Sequence, residues 1–200
     1  MVTIRAPSSL PVTEPSPAIK PPTLQWISGS WSVTHSTLPM WKKNRNVVIT
    51  YTPVPDTSPP HLDDLVTYQP ISSSSTKTVH GVDKPFSVPN TANSDGDGED
   101  AKDVASLGYN WRGKGWLMIA SSKWEILGYG DDEQQGAQNS WVVTYFAKTL
   151  FTPAGIDIYS RKGKLRPEMV EEIKAGLAGL GGDVAKLAGE VFEVAMDEGK

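Results

Sequence analysis

Three histidines, six tyrosines and no cysteine are the side chains with which this 200-residue chain could move protons or hold a ligand. His35, Tyr51 and Tyr145 stand on segments with strand patterning, and each could polarise a carbonyl or shuttle a proton. Patterns for stronger chemistry break down. "GYNWRGKG" at Gly108 to Gly115 nearly reads as a phosphate loop, but Gly115 stands where a Ser or Thr should follow Lys114, and "GWLMIA" continues as a strand. "NSDGDG" from Asn93 begins like a calcium loop, yet Val104 occupies the place of the bidentate Glu. The histidines are scattered, and no nucleophile elbow surrounds Ser72 to Ser75. No metal and no cofactor is therefore expected.

Composition narrows the classes further. The net charge is −4, the pI is near 5.4, and no long basic run occurs, which argues against nucleic acid and against an anionic membrane patch as partners. The first twenty residues lack a continuous apolar core, so no secretory signal is expected there. No segment approaches the ~18 apolar residues that span a bilayer. Absence of cysteine favours a reducing compartment, and the expected location is cytoplasmic.

Behind these residues lie the elements that must position them. Residues 1–23 carry six prolines and few large hydrophobes, which predicts a disordered Pro-rich arm. Residues 83–103 are acidic and turn-rich, which predicts a flexible loop. Elsewhere short runs alternate apolar with polar, among them "SGSWSVTHS", "NRNVVITYTP", "LDDLVTYQP", "GWLMIASS", "KWEILGYG", "NSWVVTYFAKT" and "GIDIYSR". "TKTVHGV" and "ASLGYNWRG" read as one strand divided by the acidic loop, giving roughly eight strands. The period changes in residues 163–200. Val170, Ile173, Leu177 and Leu180 recur at helical spacing after Pro167, Gly181-Gly182 ends that helix, and Asp183 caps a second one running to about Met196. An antiparallel barrel or sandwich over 24–162 followed by helices is the expected order.

The segment "GSWSVTHSTLPMWKKNRNVVITYTP" narrows this to a family. Gly29-Ser30-Trp31, Leu38-Pro39-Met40-Trp41 and Val47 to Tyr51 resemble the first strand, bend and second strand of lipocalins, within the calycin superfamily and particularly its bacterial and apolipoprotein D-like branch. "IDIYSRKGKLRPEMVEEIKAGLAGLG" resembles the family's last strand and the helix after it. The resemblance implies an all-β, eight-stranded antiparallel up-and-down barrel with C-terminal helices. It further implies that Trp31 plugs the closed end under a cation–π lid from Arg161, with Gly29 completing the plug. Lacking cysteine, the chain would be an intracellular, disulfide-free member.

On that frame the first connection crosses the open mouth, so Leu38, Met40 and Trp41 should face the cavity entrance while Lys42, Lys43 and Arg45 stay hydrated. Strand alternation from an inward Trp31 turns Val33, His35 and Thr37 inward. Ile49, Tyr51, Tyr68, Trp116, Met118, Trp124, Trp141 and Tyr145 are further lining candidates. The expected function is binding a hydrophobic small molecule in the cavity. One alternative is a cofactor-independent cyclase or isomerase of natural-product biosynthesis, a Diels–Alderase-type pericyclase using His35, Tyr51 or Tyr145. The other is a structural or interaction protein using the helical tail. A homodimer stays open.

Overall fold

Alternation dictates how the barrel closes. The computed structural model describes residues 2–10, 16–89, 103–132, 139–150 and 152–197, apart from the side chain of Trp116. Eight antiparallel strands form the wall: β1 (Gly29–Ser36), β2 (Asn44–Pro53), β3 (Leu62–Pro70), β4 (Lys77–Phe86), β5 (Gly108–Gly113), β6 (Ser121–Asp132), β7 (Asn139–Phe146) and β8 (Gly155–Ser160). Each pairs with the next in sequence, and β1 closes the ring against both β2 and β8. This is the closed up-and-down barrel that the family resemblance implies. Closure leaves no edge strand between β1 and β8.

Three segments differ from expectation. β4 and β5 are separate neighbours in one ladder rather than halves of a single strand. The count of eight survives because "GWL" (Gly115–Leu117) is a 3-10 turn, so only Ser121 onward pairs. Of the expected acidic loop, residues 83–86 belong to β4, and the backbone N–H of Leu24 donates to Asp103 at 2.7 Å. Residues 90–102 lie outside the described residues, as do 11–15 of the expected arm.

Residues 2–10, expected to be disordered, instead pack on the barrel. Ile4 and Ala6 are buried, and Arg5 forms a buried ion pair with Glu125 on β6. Alternation within "VTIRA" supplies the reason, since Val2, Ile4 and Ala6 share one face. Composition averaged over the proline-rich segment conceals that short amphipathic stretch.

Helices α2 (Pro167–Gly179) and α3 (Gly182–Glu190) cover the outer face of β6 to β8. Val170, Ile173, Leu177, Val184 and Ala188 pack there against Leu127, Trp141, Val143, Tyr145, Ile156 and Ile158. The second helix stops at Glu190, short of the expected Met196. The chain then forms a two-residue strand, β9 (Phe192–Glu193), beside β1. A second apolar cluster fills the barrel itself.

The closed end is built around Trp31. A one-turn helix, α1 (Leu24–Ile27), precedes β1 and is capped by Thr23, whose hydroxyl accepts from the Trp26 N–H. The Trp31 indole is fully buried and donates to the Ile27 carbonyl at 2.7 Å. Arg161, just after β8, lies over the indole with its guanidinium carbon 3.6 Å from the ring centroid. The same guanidinium donates to the carbonyls of Trp26, Ser28 and Ser30. Gly29 holds φ at +90°, and a Cβ there would stand 3.2 Å from Arg161 Nη1. Both the backbone angle and the cation therefore require glycine.

Candidate functional site

Above the plug the barrel is hollow. A cavity of about 440 Å³ opens toward the end formed by the β1–β2, β5–β6 and β7–β8 connections. Inward positions of neighbouring strands supply the wall, with Ile49 and Tyr51 from β2, Asp64 and Val66 from β3, Val79 from β4 and Trp111 from β5. Trp124 from β6, Phe146 from β7, and Asp157 and Tyr159 from β8 complete it. Gly81 makes room for one aromatic wall, since a Cβ there would lie 2.3 Å from the Trp111 ring. Trp124 is stacked between Tyr51 and Tyr109, with ring centroids 5.6 and 4.7 Å away.

Leu38, Met40 and Trp41 fold over the entrance as expected and line it. Pro39 begins a 3-10 turn there, which buries Trp41 and leaves Met40 half exposed. Trp41 meets Tyr68 edge-on at 5.6 Å and donates from its indole to Asp157 Oδ2 at 3.2 Å. Ile119 and Leu150 project from the rim at 93% and 95% exposure.

Other expected lining residues fall elsewhere. His35 is turned out of the barrel. Val33 pairs with Tyr159 and His35 with Ile158, so Thr34 is an extra residue, a β-bulge that reverses parity. Ser36 takes the inward place and donates to Asp157, while His35 faces Glu193 of β9 across the outside. Burial lowers its pKa, so its neutral form is favoured. Thr37 continues the ladder to β8, accepting from the Ile156 N–H through its hydroxyl at 2.8 Å. Val33 is core beneath the cavity, and Tyr68 packs behind Trp41. Trp141 and Tyr145 point outward into the cluster under the helices. Met118 is exposed on the β5–β6 connection, and the Trp116 side chain lies outside the described residues. Of the three candidate proton carriers only Tyr51 reaches the cavity.

Three carboxyl groups in the barrel interior replace them. Asp64 and Asp83 are 6% and 0% exposed, and Asp157 is buried beside Tyr159. Trp124 donates to Asp83 Oδ1 at 2.7 Å, but Asp83 Oδ2 and Asp64 Oδ1 have no hydrogen-bond partner among the described residues. Loss of hydration pushes the Asp64 and Asp157 carboxyls up to about 7. The same loss, with Asp64 alongside, holds Asp83 well above the usual carboxylate range. Tyr51 and Tyr159 neighbour each other in the wall, and burial raises both phenols. The sequence signal for these acids is their phase. Asp64 alternates with Leu62 and Val66, Asp83 with Val79 and Gly81, and Asp157 with Tyr159.

Among the described residues no cluster of three or more His, Asp or Glu side chains is placed to hold a metal ion. No helix there is long and apolar enough to cross a membrane.

Neither a family model nor a curated protein sequence matches the chain. Solved structures do. Apocrustacyanin A1 from lobster superimposes with a TM-score of 0.53 at 12% identity, over 88% of this chain and 80% of its own. Insecticyanin from the tobacco hornworm Manduca sexta gives 0.54 at 13% identity, over 94% and 89%. The shared feature is the fold, the lipocalin barrel with its C-terminal helical segment.

Proposed function

We propose that this lipocalin-fold barrel binds an apolar small molecule. The observation that carries the reading is the aromatic-walled cavity of about 440 Å³, open at one end and sealed at the other by Trp31 and Arg161. That volume lies within the ~300–1,000 Å³ typical of small-molecule sites. A guest burying roughly 300 Å² of apolar surface gains about 7 kcal/mol before the cost of association is subtracted. The Gly29–Trp31 and Leu38–Trp41 motifs support placement near the bacterial and apolipoprotein D-like branch, and absence of cysteine supports a cytoplasmic setting.

Trp41, Trp111 and Trp124 in the wall supply the test. Titration with Nile red should quench their fluorescence saturably at one site. Val66→Trp, which fills the cavity from β3, should abolish that saturation while the far-ultraviolet circular dichroism is kept. No saturable quenching by Nile red, or equal quenching in Val66→Trp, overturns the reading.

Cofactor-free cyclisation is the second reading, and Tyr51 beside Tyr159 and Asp64 is what favours it, as a proton-donating cluster against an apolar wall. His35 and Tyr145 drop out of that role because neither reaches the cavity. Product formed from a polyene substrate by wild type and lost in Tyr51→Phe would support it. Equal rates with and without protein would remove it.

A further inference from the structure

We infer that the guest carries a cationic amine, and that Asp64 with Asp157 receives it. This rests on the binding reading above and specifies its ligand class. An unpartnered carboxyl oxygen of Asp64, buried in a residue that lines the cavity, carries the inference. Among the described residues no Lys, Arg or His lines the cavity, and Asp64 and Asp157 are the carboxyl groups in its wall. Three interior donors are committed to carboxyl groups: Trp41 and Ser36 to Asp157 and Trp124 to Asp83, while the Tyr159 hydroxyl in the wall accepts from Thr144. The remaining lining hydroxyls, Ser121, Ser122, Thr149 and Thr152, belong to the mouth end. Asp64 Oδ1 is buried with no partner and its residue lines the cavity.

A buried acceptor without a donor is costly, and such groups in folded proteins call for an explanation. A guest with only carbonyl or ether oxygens would leave Asp64 unrelieved. A carboxylate guest would bring a third negative group beside two others. An ammonium provides N–H donors and the opposite charge together, in a wall that also carries the aromatic rings of Trp111 and Tyr51.

Neighbouring groups reinforce the preference. Asp64 is faced by Tyr51 from β2, Asp83 from β4 and Tyr159 from β8, and it follows Asp63 in β3. Asp157 is faced by Ser36, Trp41 and Tyr159. None of these is a cation. Both acids titrate near neutrality, so docking of an ammonium releases the carboxyl proton to solvent.

Displacement of bound Nile red by 4-phenylbutylamine, 4-phenylbutanol and 4-phenylbutyrate tests this, because the three share one apolar skeleton. At pH 8 the amine should displace the dye at least about tenfold more tightly than the alcohol, and the carboxylate should be weakest. Asp64→Asn should bring the amine down to the level of the alcohol without moving the alcohol. Asp157→Asn provides the same comparison if the first variant fails to fold. Lowering the pH from 8 to 5.5 should weaken the amine about tenfold and leave the alcohol within about twofold. An amine no tighter than the alcohol, or a carboxylate tighter than both, overturns the inference while leaving the binding reading intact. Failure of the dye itself to bind removes the reading beneath it.

Discussion

Arg161 covers the indole of Trp31 from a position 130 residues away in sequence, with its guanidinium carbon 3.6 Å from the ring centroid. The same cation ties the carbonyls of Trp26, Ser28 and Ser30, so one side chain joins the end of β8 to the start of β1. Arg161→Ala should lower stability by about 2–3 kcal/mol, read from urea unfolding, through loss of the ring contact and of charge-assisted hydrogen bonds. Arg161→Lys should recover only part, because an ammonium cannot cover the ring and reach three carbonyls in one plane. Gly29→Ala should cost about 1–2 kcal/mol for its positive φ and its crowding of Nη1.

Asp64 should make the barrel less stable as the medium turns alkaline. Its carboxyl is held at about 7 in the folded state, so folding takes up a proton between the ordinary carboxylate range and neutrality. Stability then falls as pH rises through that window, and the full cost stands above it. Asp64→Asn avoids ionisation altogether. The variant should match wild type near pH 4 and exceed it by about 2–3 kcal/mol at pH 8, measured as urea midpoints. Equal midpoints at both pH values would show that Asp64 is not desolvated.

His35 should behave in the opposite sense. Burial lowers its pKa, helped by Lys174 and Lys164 and opposed by Glu193 and Glu171. The unfolded chain therefore takes up a proton near pH 6.5 that the folded one refuses, and stability falls with acid below that point. His35→Gln should lose less stability than wild type between pH 7.5 and 5. Because the imidazole faces out of the barrel, the same variant should bind Nile red within about twofold of wild type. A large loss of binding would place His35 in the cavity after all.

Arg5 and Glu125 form a buried pair, with side chains 4% and 5% exposed, and Ser8 adds its N–H and hydroxyl to the same carboxylate. Arg5→Ala strands that charge and should cost about 3 kcal/mol. Limited proteolysis should then cut within the first ten residues faster than in wild type. The double change Arg5→Met with Glu125→Met should restore most of the loss, since an apolar pair of similar volume leaves nothing unpaired.

These residues also mark how far the sequence could be read. β2, and β1 as far as Val33, alternate because one face meets the barrel interior and the other meets water, so the plug and the Leu38 to Trp41 entrance were legible. His35 was not, because a single extra residue at Thr34 reverses parity without disturbing the apolar pattern. Trp141 and Tyr145 were ambiguous for another reason. The helices bury the outer face of β7, so both of its faces are apolar and alternation vanishes. Asp64, Asp83 and Asp157 were hidden by type. Carboxylates are expected on surfaces, and only their phase with Leu62, Val79 and Tyr159 shows that they point inward.

The two chain ends pack on the same flank. Residues 2–10 lie on β6, and α2 with α3 cover β6 to β8, whereas among the described residues no helix packs on the outer face of β2 to β5. The barrel is thus backed by helices on one side and single-walled on the other. Asp64 and Asp83 therefore stand in the single-layer part of the wall and Asp157 in the part backed by helices, so the two acids that line the cavity face each other from differently supported sides.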